Sequence, residues 1–178
     1  MEPTKTQINK LGDRIRKGKT REGDEKLLDE FRSSYDEAFE TISAEIKQIL
    51  KPLSGKTTLT NRQTKTSISI KEKLIRLKGR LSEMQDIRGC RMVANDLAIC
   101  DTVVEKIKKS KLNIVKVDNR NDDIGYRAIH VIVTVKEKPV EIQIRTRLQD
   151  IWANICEKYS SKQNDLKYGS RDKKIKSS

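Results

Sequence analysis

The sequence predicts a single α/β domain, and two adjoining features carry that expectation. In Val140-Glu141-Ile142-Gln143-Ile144-Arg145, strict alternation sets Val140, Ile142 and Ile144 on one face of a strand and Glu141, Gln143 and Arg145 on the other. Thr146 then stands where it can cap a helix from Arg147 to about Tyr159, so a strand ends where a helix begins. Such strand ends are where α/β proteins place ligands. An acid, an amide and a guanidinium in one row suit a site, although a charged edge strand reads the same way. A chain of 178 residues can build one domain with a real core and falls short of two of ordinary size.

The elements follow in order. Residues 1–22 carry seven basic and three acidic residues around Ile8 and Leu11, and read as a loose or helical basic arm ahead of a domain over 23–162 and a basic tail over 163–178. From Asp24 one long amphipathic helix is expected, because Leu28, Phe31, Tyr35, Ala38, Phe39, Ile42, Ile46 and Ile49 recur at three and four residues. Lys51-Pro52 should end it, since a residue before proline avoids helical geometry. Residues 53–67, rich in Ser, Thr, Gly and Lys, read as a loop. Ser69-Ile70-Lys71-Glu72 has the form of a capping box opening a helix to about Leu81. Further elements are a short strand at Met92-Val93-Ala94, a helix near Leu97 to Lys108, a strand over 112–117 and a polar turn over 118–123. Gly125 allows a bend before a strand over 128–135, and a turn at Lys136-Glu137-Lys138-Pro139 makes a hairpin with the Val140 strand.

Composition narrows the partners. Thirty-nine Lys and Arg against 26 Asp and Glu leave a charge of +13, which suits a polyanion: nucleotide, RNA or an anionic membrane surface. No apolar run is long enough to span a bilayer and the N-terminus lacks the apolar core of a signal peptide, so a cytoplasmic protein is expected. Cys90, Cys100 and Cys156 are odd in number and widely spaced, which fits reduced thiols better than a disulfide frame or a zinc site. A Ser/His/Asp centre would have to use His130, the one histidine.

Charge is most concentrated over residues 51–80, where nine Lys or Arg face Glu72 as the one acid. On the helix expected there, Ser69, Lys73, Arg76 and Arg80 share a face, beside a buried face of Ile70, Leu74, Leu77 and Leu81. A hydroxyl, a helix N-terminus and cations in line make a phosphate cradle, and a basic solvated face would look alike. Asp86 and Glu141 lie at strand boundaries and could share a magnesium ion, which one or two carboxylates hold together with substrate phosphates. No Gly-x-x-x-x-Gly-Lys-Ser/Thr loop is present, which excludes a P-loop enzyme.

Asp86-Ile-Arg-Gly-Cys-Arg91, Gly125-Tyr-Arg-Ala-Ile-His130 and Glu141-Ile-Gln-Ile-Arg-Thr146, in that order and followed by Trp152-Ala153, closely resemble the synthetase domain of the RelA/SpoT family. The resemblance runs from about Lys65 to Lys158, and more faintly through the long helix and Lys167-Tyr168-Gly169; no hydrolase domain of the long family members precedes it. It implies a mixed sheet of about five strands flanked by helices, and an ATP-dependent pyrophosphokinase that moves the β,γ-pyrophosphate of ATP onto a ribose 3′-hydroxyl and releases AMP.

Carried over by position, Lys65, Ser69, Lys73 and Arg76 match the family's ATP-phosphate segment, and Arg91 and Arg62 the arginines that sandwich the adenine. Asp86 resembles the Mg2+ ligand, and Glu141 the second acid, on the metal or as general base. Tyr126 matches the tyrosine that stacks on the acceptor base, with His130, Gln143 and Arg145 beside it. Where alarmone-making members commonly have Lys-x-Asn before Gly-Tyr, this chain has Asp122-Asp123-Ile124. The three motifs look closest to the toxic small alarmone synthetases, several of which, paired with an antitoxin protein, pyrophosphorylate the 3′ CCA end of tRNA. The resemblance thus implies tRNA as first acceptor and GDP or GTP as second. A non-catalytic RNA-binding module on the same fold is the reading from another class.

Overall fold

The computed structural model describes residues 2–121 and 127–160. In chain order they form α1 (Lys5–Arg16), α2 (Asp24–Ser33), α3 (Asp36–Leu50), β1 (Thr57–Arg62), α4 (Ser67–Leu77), β2 (Gly89–Ala94), α5 (Leu97–Lys108), β3 (Asn113–Asn121), β4 (Arg127–Val135), β5 (Lys138–Thr146) and α6 (Arg147–Ser160). The five strands make one mixed sheet in the order β1-β2-β5-β4-β3. Only β2 and β5 run parallel; the other neighbours are antiparallel. The β4–β5 hairpin turns at Lys136 and Glu137, both at positive φ (48° and 61°), the backbone of a tight primed turn built without glycine.

The alternation in β5 does what its pattern predicts. Val140, Ile142 and Ile144 are fully buried against α3 and α5, in a core with Met92, Val131 and Val133. A second, smaller core gathers Ile8, Leu11 and Ile15 of α1, Leu28 and Phe31 of α2, Ile70 and Leu74 of α4, and Leu81, Met84 and Ile87. The basic segment 1–22 is therefore packed into the fold through α1 rather than standing off as an arm. Arg14 binds Asp24 through Nε at 2.9 Å, tying the end of α1 to the start of α2.

The expected single helix from Asp24 to Lys51 is two helices. At Ser34 and Tyr35 ψ rises to −9°, away from the helical value near −42°, and the Tyr35 N–H reaches back only three residues, to Arg32 O. The Ser34 hydroxyl also donates to Phe31 O at 2.7 Å, competing for a helical carbonyl. The break divides the apolar stripe: Leu28, Phe31 and Tyr35 enter the smaller core, and Ala38, Phe39, Ile42 and Ile46 the sheet core.

Three further expectations are corrected. Within the supposed loop 53–67, Thr57–Arg62 form β1, an edge strand paired with β2. The capping box at Ser69 is not the start of α4; Thr66 caps it by accepting the Ser69 N–H at 3.2 Å. That helix ends at Leu77, with Lys78 left-handed (φ 53°), so Arg80 is off the helix, Leu77 is exposed, and Leu81 is buried from a separate 3₁₀ turn. Finally, β3 runs through the supposed polar turn as far as Asn121. No helix among the described residues is long and apolar enough to cross a membrane. Cys90 and Cys100 are buried free thiols, and burial pushes Cys90 up to about 12 and Cys100 to about 11.

Candidate active site

The sheet face opposite α3 and α5 carries the polar residues, and strand register sets them in rows. Across β1, β2, β5, β4 and β3, one row reads Thr60, Arg91, Gln143, His130, Asp118. The neighbouring row reads Arg62, Gly89, Glu141, Ile132, Lys116. A cavity of about 960 Å³ opens over this face, closed on one side by Ser69, Lys73 and Arg76 of α4 and on another by Ala153 and Cys156 of α6. Asp86, Glu141, His130, Gln143 and Arg145 line its floor and wall. Its volume is at the upper end of what small-molecule sites span.

Glu141 is 4% exposed and both its oxygens have partners. His130 Nδ1 lies 2.6 Å from Oε1, while Gln143 Nε2 donates to Oε2 at 2.8 Å and Arg62 Nη1 at 3.0 Å. Since a carboxylate only accepts, the imidazole proton of that contact sits on Nδ1. Burial alone would push the Glu141 carboxyl up. The His130 and Gln143 hydrogen bonds and the charge of Arg62 outweigh it and bring the group down to about 2. Gly89 stands between Arg62 and Glu141 in their row, and a Cβ there would meet Glu141 O at 2.4 Å. Glycine is what lets β5 approach β2 so closely at the acid.

Asp86 belongs to the segment entering β2. The Lys65 N–H bonds Ile87 O at 2.8 Å, which sets the Lys65 side chain beside Asp86. Lys65 Nζ lies 3.2 Å and Lys73 Nζ 2.7 Å from its carboxylate oxygens. Burial raises the Asp86 carboxyl and Glu141's charge adds to that, yet the two lysines win and hold it below the usual carboxylate range. Residues 55 positions apart in sequence thus place two ionised carboxylates in one cavity with cations on both.

Most of the expected site residues meet there: Lys65, Ser69, Lys73 and Arg76 on one wall, Asp86, Glu141, Gln143, Arg145 and His130 on the floor. Arg62 also lines the cavity but is bound to Glu141. Arg91 is held under α6, with Nη1 3.0 Å from Asp150 and 3.2 Å from Asn154 Oδ1. Tyr126 lies outside the described residues, as do Asp122, Asp123 and Ile124. Sequence reasoning missed Lys116, Asp118 and Arg120 of β3, which line the far side of the cavity, where Asp118 pairs with both cations at 3.3 and 3.4 Å. Their spacing of two was the available signal, hidden by reading residues 118–123 as a turn.

In this mixed sheet two carboxylates and the cations of Lys65, Lys73 and Arg76 line one cavity, an arrangement suited to a phosphate-bearing ligand. Residues 62–165 match the family described as a region found in RelA/SpoT proteins, and the chain belongs to that family. It is an enzyme of the pyrophosphokinase type. The structure resembles small alarmone synthetase 1 of Bacillus subtilis bound to its product pppGpp, with 28% identity, 79% of this chain and 83% of that chain covered, and a TM-score of 0.71. Against the same synthetase bound to AMPCPP the figures are 26%, 78%, 81% and 0.63. Against a GTP pyrophosphokinase family protein of Streptococcus pneumoniae they are 27%, 71%, 71% and 0.54. No curated protein matches the chain.

Proposed function

We propose that the protein, acting in the cytoplasm, transfers the β,γ-pyrophosphate of ATP to a ribose 3′-hydroxyl. The observation that carries this reading is the meeting of Asp86 and Glu141 in one cavity with Lys65, Ser69, Lys73 and Arg76. In the reaction the 3′-oxygen attacks the β-phosphorus and the bond from that phosphorus to the AMP oxygen breaks. AMP leaves with the bond's electrons, and the hydroxyl proton passes to a base or to solvent. The cations of α4 and Lys65 hold the triphosphate and offset the charge that builds on the transferred group.

The residues fit a divalent cation, and Mg2+ is the metal proposed. Asp86 and Glu141 offer oxygen donors close enough for the Glu141 charge to oppose the ionisation of Asp86, and Gln143 Oε1 is buried without a hydrogen-bond partner. Among the described residues no cluster of three or more His, Cys, Asp or Glu stands ready for a metal, as suits an ion completed by substrate phosphates. Such an ion, when bound, would polarise the transferred phosphate. A carboxyl at about 2 has little drive to take a proton near neutrality, which favours Glu141 as a ligand over Glu141 as base. The adenine is assigned to Arg62 and Arg91, and the acceptor base to Tyr126, by their positions in the family motifs. His130 and Gln143 hold the acceptor side, and Arg145, on the same face, the phosphates between donor and acceptor.

For the acceptor, the 3′ CCA end of tRNA is the first reading, with translation stopped as a consequence and an antitoxin protein as the natural counterpart. It is supported by the +13 charge, beyond the needs of one nucleotide, and by Asp122-Asp123-Ile124 ahead of Gly125. Lys10 on α1 and Lys17 just after it are exposed and available to an RNA backbone, whereas Arg14 and Arg16 are engaged with Asp24 and Asp13. The second reading, GDP or GTP as acceptor, is favoured by the pppGpp bound to the similar B. subtilis enzyme. Incubation with γ-labelled ATP and either deacylated tRNA or GDP and GTP decides: label on tRNA, lost when the terminal adenosine is trimmed, supports the first. Label on the guanine nucleotides alone replaces it with the second, and label on neither removes the pyrophosphokinase reading.

A further inference from the structure

Asp150, a carboxylate beside the cavity, has partners on both of its oxygens. Thr146 and Gln149 cap α6 reciprocally: Gln149 N–H donates to Thr146 Oγ1 at 3.3 Å and Thr146 N–H to Gln149 Oε1 at 2.8 Å. This fixes the first turn and so the place of Asp150. One turn on, Asn154 Nδ2 donates to Asp150 Oδ2 at 3.2 Å. The other oxygen, Oδ1, faces two guanidiniums: Arg91 Nη1 at 3.0 Å and Arg145 Nη1 at 3.5 Å. Arg91 and Arg145 sit on neighbouring strands, diagonal to each other across the β2–β5 pair. Arg145 is 1% exposed and Asp150's side chain 20%.

A buried guanidinium and a half-buried one on adjacent strands repel each other, and burial makes that repulsion stronger. Burial followed by the Arg145 charge pushes the Arg91 group down, and Asp150 works against both. A carboxylate placed in the fork between them removes the conflict and fixes the direction of each planar group. Arg145 lines the cavity, so its orientation is presented to whatever binds there. We infer that Asp150 is a positioning residue for donor binding: held by the α6 cap and Asn154, it sets Arg145 on the cavity wall and Arg91 behind it. It touches no substrate and acts through the two arginines. The inference rests on the reading of this cavity as the nucleoside triphosphate site.

The test is calorimetric binding of AMPCPP to the full chain, for wild type, Asp150→Asn, Asp150→Glu, Arg145→Gln and the Asp150→Asn/Arg145→Gln pair, each first shown folded by urea unfolding. Loss of one charge-assisted contact predicts binding weakened about tenfold in Asp150→Asn. Asp150→Glu should recover most of that loss, and the double variant should lose less than the product of the two single losses, the remainder being the part that runs through Arg91. A purely structural role would instead give losses that multiply. Unchanged binding by Asp150→Asn, or multiplying effects, overturns the proposal. If Arg145→Gln does not fold, Arg91→Gln takes its place in the cycle, since the same oxygen holds it. A wild-type chain that ignores AMPCPP would overturn the triphosphate reading itself, which is a different outcome from a tight-binding wild type matched by Asp150→Asn.

Discussion

Gly89→Ala adds a single methyl group at the one point where β2 and β5 cannot spread without moving the acid. The new Cβ would lie 2.4 Å from Glu141 O, against the 3.0 Å that real Cβ contacts essentially never go below, so the strands must part by at least about 0.6 Å (3.0 minus 2.4). The obstructing atom is backbone, which has no rotamer to retreat into. The shift acts directly on the Glu141 N–H bond to Arg88 O, now 3.1 Å, and on the Arg62 contact to Glu141, now 3.0 Å. Overpacking of this kind costs about 1–3 kcal/mol. Displacement of the acid by most of an ångström should lower transfer by on the order of 100-fold. Urea unfolding gives the first quantity and transfer from γ-labelled ATP the second. Gly79→Ala, which meets nothing within 4 Å, serves as control and should change stability little. If Gly89→Ala stays within about 0.5 kcal/mol of wild type and keeps near-normal transfer, the argument that β5 closes on a glycine to place Glu141 is wrong.

Three more outcomes are expected. In chelator, so that no metal intervenes, a Glu141 carboxyl brought from 4.5 to about 2 contributes about 3 kcal/mol at 1.36 kcal/mol per pH unit. Because the folded value is depressed, that stability is present above 4.5 and is lost as pH falls through about 2; the gap between wild type and Glu141→Gln in urea unfolding should close on acidification, and parallel curves would refute it. Asp86→Asn should lower transfer on the order of 100-fold or more while remaining folded, and near-normal transfer would remove Asp86 from the site. Lys73→Ala and Arg76→Ala should each raise the apparent KM for ATP while remaining folded, since neither belongs to the apolar side of α4; an unchanged KM in both would return that helix to solvent.

Where periodicity spoke about burial, the sequence was a good guide. β5, β4 and α5 fall where alternation or periodicity set them, because each has one face against the core, and α6 falls where its Thr146 cap set it. The break at Ser34-Tyr35 was not legible: no proline or glycine marks it, and two helices with stripes in phase spell the same pattern as one. β1 was hidden by its composition, since Thr57-Thr58-Leu59-Thr60 on an edge strand reads as polar loop. At the site, spacing on a helix exposed Ser69, Lys73 and Arg76, and alternation exposed Glu141, Gln143 and Arg145. The contacts of Arg62 with Glu141, and of Arg91 with Asp150, arise from strand register and from α6 lying over β2, which local sequence does not encode.

The division of the apolar residues into two cores has a consequence for how the molecule breathes. The cavity-facing helix α4 rests on the smaller cluster, with α1 and α2, and not on the sheet. A cluster so limited in buried area opens as a local unit at lower free energy than the five-stranded sheet beneath α3 and α5. Amide exchange should therefore separate two populations, with Leu74 and Leu11 amides exchanging through partial opening while those of Ile142 and Val131 wait for global unfolding. A nucleotide bridging α4 to the carboxylates would stitch the two units together and protect the first population selectively, so occupancy is readable as cooperativity of unfolding before any chemistry takes place.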